Sequence, residues 1–326
     1  MRLIGLAVIL TLSVIAGQLA VEAQQAGKVY RIGYLAAGSV ELDQSWRAAF
    51  QQALRDLGYE GKNIIIEWRH AAGRSERLHE LAAELVRLNV DVFVAYGAVP
   101  EIKKATSTIP IVMAVSADPV GQGLVASLER PGGQVTGLTD GHGSAIHLTK
   151  RLEPLKEVAP SASRIAVLLN PASPTAAQLK LIQAAAPALG LTLLPLEVRG
   201  PDDLDRAFTT IDKERAGGLL VVAEPTVIGA HGRKIADLAL KSRIPGIYTV
   251  RQGAANGLLM AYGADFHELW RRAATYVDKI LKGAKPGDLP IEQASKWDLV
   301  INLKTAKTLG LTIPPSLRSR AADVIQ

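Results

Sequence analysis

The stretch GQGLVA, residues 121–126, follows the apolar run IPIVMAVSADPV (109–120) and matches G-x-G-x-x-A, the dinucleotide-binding fingerprint. That fingerprint carries meaning only where it leaves a strand directly and opens a crossover helix. Here Ser116 to Val120, with an Asp-Pro pair, separate it from IPIVMAV (109–115), and the PGG at 131–133 halts any helix after about two turns. Asp140 falls near the spacing of a ribose-binding acid but sits in the loop TGLTDG (136–141). The stretch therefore reads as a short helical segment leading from a fourth strand to a first hinge crossing, with Asp118 at its cleft-facing start.

Outward from this stretch, short apolar runs alternate with amphipathic segments of helix length, which predicts parallel strands joined by helices. The first half offers strands at VYRIGYL (29–35), NIIIEWR (63–69), VDVFVAY (90–96) and IPIVMAV, with helices at 43–58, 74–88 and 100–107 between them. These strands are rich in Ile and Val on both faces, as buried parallel strands must be. After PGGQVTGLTD the alternation restarts with RIAVLLN (164–170), LTLLPLEV (191–198), GGLLVVA (217–223) and IPGIYTV (244–250). The fold class is α/β: two Rossmann-like doubly wound lobes joined by a multi-crossing hinge. Lobe I is expected over 28–139 plus 263–288, and lobe II over 140–262 plus 289–326, because NGLLMAYG, DFHELWRRAATYVDKILKG and SKWDLVINLKTAKTLG return across the interface.

Arg2, the apolar run Leu3–Ala16 and the small residues Val21 and Ala23 form a signal-peptide pattern with a cut after Ala23. The apolar run falls short of the roughly 20 residues a membrane span needs. Cleavage removes Arg2 and Glu22 together, so the mature chain keeps the net charge of +6. The basic residues are scattered among acids rather than clustered with aromatics, so no nucleic-acid footprint follows. Cysteine is absent, which excludes disulfides, thiolate metal sites and a lipid-modified Cys anchor. A free periplasmic protein without a direct membrane anchor is expected.

In doubly wound sheets ligands bind outside the carboxyl ends of the strands, which places a ligand between two facing lobes. The candidate ligand residues are Gly38, Ser39, Tyr96, Gly97, Ala98, Ala117 and Asp118 on the first lobe, and Asn170, Glu224, Tyr248 and Tyr262 on the second. Gly38, Ser39 and Gly97 suit a carboxylate or another small polar group, since small residues before a helix expose backbone N–H groups; each is equally a good turn or cap residue. Glu224 directly follows an apolar strand, where an acid asks for a partner such as a ligand ammonium, or caps a helix. Tyr96 and Tyr262 offer rings for stacking or for packing. No H-E-x-x-H or G-x-S-x-G is present, and His142 and His147 are not spaced for one helix face, so no catalytic or metal residue is assigned.

ATSTIPIV (105–112), DPVGQGLVASLERPGGQVTG (118–137), RIAVLLNP (164–171), IPGIY (244–248), GLLMAYG (257–263) and VINLKTAKTLGLTIPPSL (300–317) together resemble the substrate-binding proteins of bacterial ABC transporters, in the tryptophan/tyrosine transport group. The resemblance implies a type I periplasmic-binding-protein fold that closes on one small organic ligand, an amino acid or aromatic acid, and hands it to a membrane permease. It implies no cofactor. Two departures stand out: GAVP (97–100) where members carry a Gly-Thr-Pro-like turn, and EPTV (224–227) where many carry Asp-Pro followed by aromatics. A ligand-sensing partner of a membrane receptor or kinase uses the same fold, and an exported hydrolase is a further reading. A DNA-binding regulator is not expected, since no helix-turn-helix precedes the first strand.

Overall fold

The Ile- and Val-rich runs become strands because, buried on both faces, β-branched side chains pack well while the ladders satisfy the backbone. In the computed structural model, residues 28–326 are described apart from 62, 142–144, 174, 175, 177 and 223. The signal-peptide reading of 1–23 and the reading of His142 lie outside these residues. The first sheet has the order β11-β5-β4-β3-β1-β2 and is parallel throughout. Its strands are β1 (Tyr30–Ala36), β2 (Ile64–His70), β3 (Val92–Tyr96), β4 (Ile111–Ser116), β5 (Val135–Thr139) and the two-residue β11 (Glu292–Gln293). Helices α1 (Val40–Asp56), α2 (Leu78–Arg87) and α3 (Val99–Ala105) connect them.

The second sheet has the order β13-β12-β10-β9-β8-β6-β7. It comprises β6 (Arg164–Leu169), β7 (Thr192–Glu197), β8 (Gly218–Val221), β9 (Gly246–Tyr248), β10 (Met260–Ala264), β12 (Trp297–Asn302) and β13 (Ala321–Ile325). Only the β10–β12 pair runs antiparallel. Around this sheet lie α4 (Ala145–Val158), α5 (Gln178–Ala185), α6 (Asp203–Lys213), α7 (Val227–Ala230), α8 (Gly232–Lys241), α9 (Gln252–Ala255), α11 (Leu303–Leu309) and α12 (Pro315–Arg320). The fold is two mostly parallel α/β lobes.

Helix α10 (Phe266–Leu281) follows a strand of the second sheet yet packs on the first lobe. Phe266, Leu269, Trp270, Ala273, Val277 and Ile280 recur at three- and four-residue steps and bury one face. Trp270 meets Trp46 of α1 at 5.1 Å between ring centroids, and Tyr59 donates to Asp278 at 2.9 Å. The chain thus crosses between sheets after β5, after β10 and after β11.

Two expectations change. GQGLVA is not helical: 119–123 form consecutive turns, closed by the Gly121 N–H donating to the Asp118 carboxylate at 2.8 Å and the Gln122 N–H donating to the Asp118 carbonyl at 3.1 Å. Proline at 119 and glycines at 121 and 123 favour that outcome. The segment then enters β5, a strand hidden in the sequence by Gly137. There φ is +127° beside a register shift against β4, and a Cβ would sit 2.3 Å from the Met113 carbonyl oxygen. Glu292 and Gln293, read from sequence as part of the second lobe, pair instead with Leu138 and Thr139 in the first sheet.

Candidate functional site

The carboxyl ends of strands from both sheets enclose a cavity of about 270 Å³. Tyr96 and Gly97 close β3, and Val115, Ser116 and Ala117 close β4; facing them are Asn170 after β6, Glu224 to Thr226 beyond β8, and Thr249 and Val250 after β9. Asp140 and Phe266, each beside a crossing, complete the wall. The strand-end geometry follows from the topology, because every parallel strand delivers its C-terminal loop to the same edge of its sheet.

One side of the cavity is aromatic and backed. The rings of Tyr96 and Phe266 lie 6.4 Å apart at 85°. Trp46 meets Tyr96 at 5.8 Å and Phe266 at 5.0 Å, and Trp270 stacks on Phe266 at 5.7 Å. Helices α1 and α10 supply both tryptophans, so the wall is held from behind by the packing that binds α10 to the first lobe. Burial, then the nearby Tyr248, Asp140 and Glu224, push the Tyr96 hydroxyl well above its ordinary range. It stays protonated at neutral pH and can donate.

The other side is acidic. Asp140 and Glu224, both buried, are the only charged residues in the described lining. Glu224 accepts from the Thr226 N–H at 2.8 Å, from the Thr226 hydroxyl and from the Ile228 N–H. Its carboxylate fixes the turn entering α7 and the residue lines the cavity, so the capping role and the cavity position coexist. A carboxylate has about four acceptor positions, which leaves room for a further donor. Nearby, Arg151 of α4 is fully buried with its guanidinium 5.5 Å from the Trp297 ring centre; among the described residues its three nitrogens have no hydrogen-bond partner. Burial holds it down at about 10, against the opposing pull of Asp140.

Of the residues singled out by sequence, Tyr96, Gly97, Ala117, Asn170 and Glu224 come together in this wall. Gly38, Ser39, Ala98, Asp118, Tyr248 and Tyr262 do not line it. Gly38 abuts Pro225 of the opposite lobe, and Ser39 caps α1 by accepting from the Leu42 N–H at 3.4 Å. Ala98 is wholly buried before α3, and Asp118 closes the turn at Gly121. Tyr248 is buried in the second lobe, and Tyr262 packs at 5.9 Å against Trp297. Conversely, Gln122, Leu78 and Phe266 line the cavity without having been singled out. Phe266 had a signal, since it opens an amphipathic helix after a predicted crossing; Gln122 and Leu78 had none.

The description "ABC transporter substrate binding protein" belongs to the family model that matches residues 41–325, and the chain belongs to that family. A tyrosine-binding protein of Clostridioides difficile (strain R20291) is 27% identical over 271 residues, covering 81% of this chain and 76% of the relative. An ABC domain from Streptococcus pneumonia, solved in complex with L-Trp, superposes with a TM-score of 0.85 at 26% identity, covering 91% of this chain and 100% of that one. A conserved domain protein from Vibrio cholerae O1 biovar El Tor reaches 0.84 at 28% identity with the same coverage. The family is one of substrate-binding proteins, not of enzymes. The two-lobe α/β fold seen here is theirs as well.

Proposed function

We propose that this protein captures an amino acid with an aromatic side chain between its lobes and delivers it to the permease of an ABC importer. The observation that carries the reading is one cavity with a backed aromatic wall, Tyr96 and Phe266, and two buried acids, Asp140 and Glu224. An aromatic ring fits the first and an ammonium group the second. Asn170, Ser116 and the other polar strand-end groups orient the ligand, in a cavity closer in size to one amino acid than to a dinucleotide. The relatives that bind tyrosine and L-Trp support the same ligand class. The lobes are taken as 28–139 with 266–293, and 140–265 with 294–326, following the sheets. The N-terminal pattern supports export, with cleavage after Ala23 and release into the periplasm; no helix among the described residues is long and apolar enough to cross a membrane.

Calorimetric titration of the mature protein with L-tryptophan, L-tyrosine, L-phenylalanine and indole-3-propionate tests this. At least one aromatic amino acid should bind, and the amine-free indole-3-propionate should bind at least about 10-fold more weakly, the loss of one charge-assisted contact. Absence of binding by all three amino acids overturns the ligand class.

A further inference from the structure

Three glycines of the first lobe face one short segment of the second. A Cβ at Gly97, whose φ is +69°, would lie 2.6 Å from Pro225 Cγ. One at Gly73 would lie 3.0 Å from the Thr226 carbonyl oxygen and 3.4 Å from Ala230 Cβ, and one at Gly38 would lie 3.1 Å from the Pro225 carbonyl oxygen. Real Cβ atoms do not reach the first of these distances, so at Gly97 the lobes are as close as they are only because a side chain is missing. Leu42 of α1 also reaches this segment: its Cδ2 is 3.2 Å from where a Cβ of Gly229 would stand.

The segment that meets these glycines is shaped by the cavity itself. Glu224 binds the Thr226 N–H, the Thr226 hydroxyl and the Ile228 N–H, and the Gly229 N–H donates to the Glu224 carbonyl at 2.9 Å. One cavity-lining residue therefore also holds Pro225 and Thr226 in the conformation that seats on the first lobe. On the other side Tyr96 lines the cavity and its neighbour Gly97 receives Pro225.

We infer that Gly38, Gly73 and Gly97 form a seat for residues 225–230 on which the lobes close, and that Gly97 against Pro225 is a positioning contact that sets ligand affinity. The seat has no role in the open molecule, where the lobes are apart. A group that clashes there penalises the closed state alone and lowers affinity by reducing the population able to close. The inference rests on the reading of the protein as one that closes on its ligand.

The test separates interlobe clash from backbone strain. Gly97→Ala meets both; Gly190→Ala has similar strain, with φ of +65° and nothing within 4 Å of its Cβ, and serves as the control. Because the chain has no cysteine, Glu60→Cys and Asp202→Cys on the two lobes can carry a dye pair that reports the interlobe distance. With L-tryptophan as the probe, Gly97→Ala should weaken binding about 10- to 100-fold, the usual range for overpacking, and reduce the ligand-induced shortening. Gly190→Ala should bind as the parent does. Adding Pro225→Ala to Gly97→Ala removes Cγ and leaves the nearest Pro225 atom 3.6 Å away, so closure should return and affinity should rise above that of Gly97→Ala alone. Parent-like binding and closure by Gly97→Ala, or no recovery in the double variant, overturns the inference. If Gly97→Ala does not fold, Gly38→Ala, at an ordinary φ, is used with Leu42→Ala, which relieves the 2.6 Å contact its Cβ would make within its own lobe, and must show the same loss in milder form against Leu42→Ala alone or the inference fails. If the parent binds no aromatic amino acid, the ligand reading fails separately; the seat is then judged from the unliganded distance distribution, which Gly97→Ala must shift to longer values.

Discussion

Asp43 shows how much one buried side chain can hold. It is 1% exposed and accepts from the Tyr34 hydroxyl at 2.6 Å and from Arg47 Nε at 2.8 Å, with His70 Nε2 at 3.0 Å. Burial and the Asp43 charge push the Tyr34 hydroxyl well up, so it remains a donor at any working pH. Replacing Asp43 with Ala strands two donors and a guanidinium, and should cost about 3–5 kcal/mol in urea unfolding, as loss of one partner of a buried charged network does. A loss below about 1 kcal/mol would mean that water or rearrangement satisfies the partners. Nothing in the sequence announces this network: Asp43 reads as a first-turn helix acid, and its partners lie on two strands and one helix turn. Glu224 was legible because an acid immediately after an apolar strand is conspicuous. Gln122 and Leu78 were not, since their arrival at the cavity depends on how distant loops fold back.

Helix α10 carries the structure at the scale of elements. Its N-cap, Asp265, accepts from the His267 N–H at 2.9 Å and the Glu268 N–H at 3.3 Å. The His267 side chain first, and these backbone donors with it, hold the Asp265 carboxyl down at about 2, against the opposing effect of burial. A carboxyl depressed in the folded state stabilises it above the unfolded value and loses that contribution as pH falls. The window is therefore from about pH 4 to pH 2, and the contribution is of the order of 2 kcal/mol. Asp265→Asn keeps a competent cap, so the parent should be the more stable near pH 5 and the difference should shrink towards pH 2, measured by denaturant unfolding at each pH. A difference that stays constant would assign the stability to the cap alone. The amphipathic period of α10 was plain in the sequence; the contacts that hold it on the first lobe, Trp270 with Trp46 and Asp278 with Tyr59, join residues too far apart in the chain to be read there. Likewise β5 escaped notice because Gly137 and the preceding PGG look like a linker, and only the close approach to Met113 explains the glycine.

At the scale of the molecule, alternation of strands and helices foretold two α/β lobes, and the strand-end rule pointed to the space between them and to Tyr96, Gly97, Ala117, Asn170 and Glu224 of its wall; the loops that bring Leu78 and Gln122 there were beyond reach, because their arrival depends on how distant segments fold back. The cavity takes Tyr96, Ser116 and Ala117 from the first sheet and Asn170, Glu224 and Thr249 from the second, so neither lobe alone contains it. A ligand bound there is lost when either lobe unfolds, which links the two transitions through binding. An aromatic amino acid at about one hundred times its Kd should add about 2.7 kcal/mol by mass action and raise Tm by roughly 4 °C where the lobes melt together. Calorimetric scans should show a single endotherm moving upward with ligand concentration; where the unliganded protein melts in two steps, the lower step should rise until it merges with the upper, and the merged endotherm should then rise as one. If instead the upper step moves while the lower stays in place, or the lower step passes a stationary upper one, the ligand is held by a single lobe, and the facing strand ends of the other contribute shape but no binding energy.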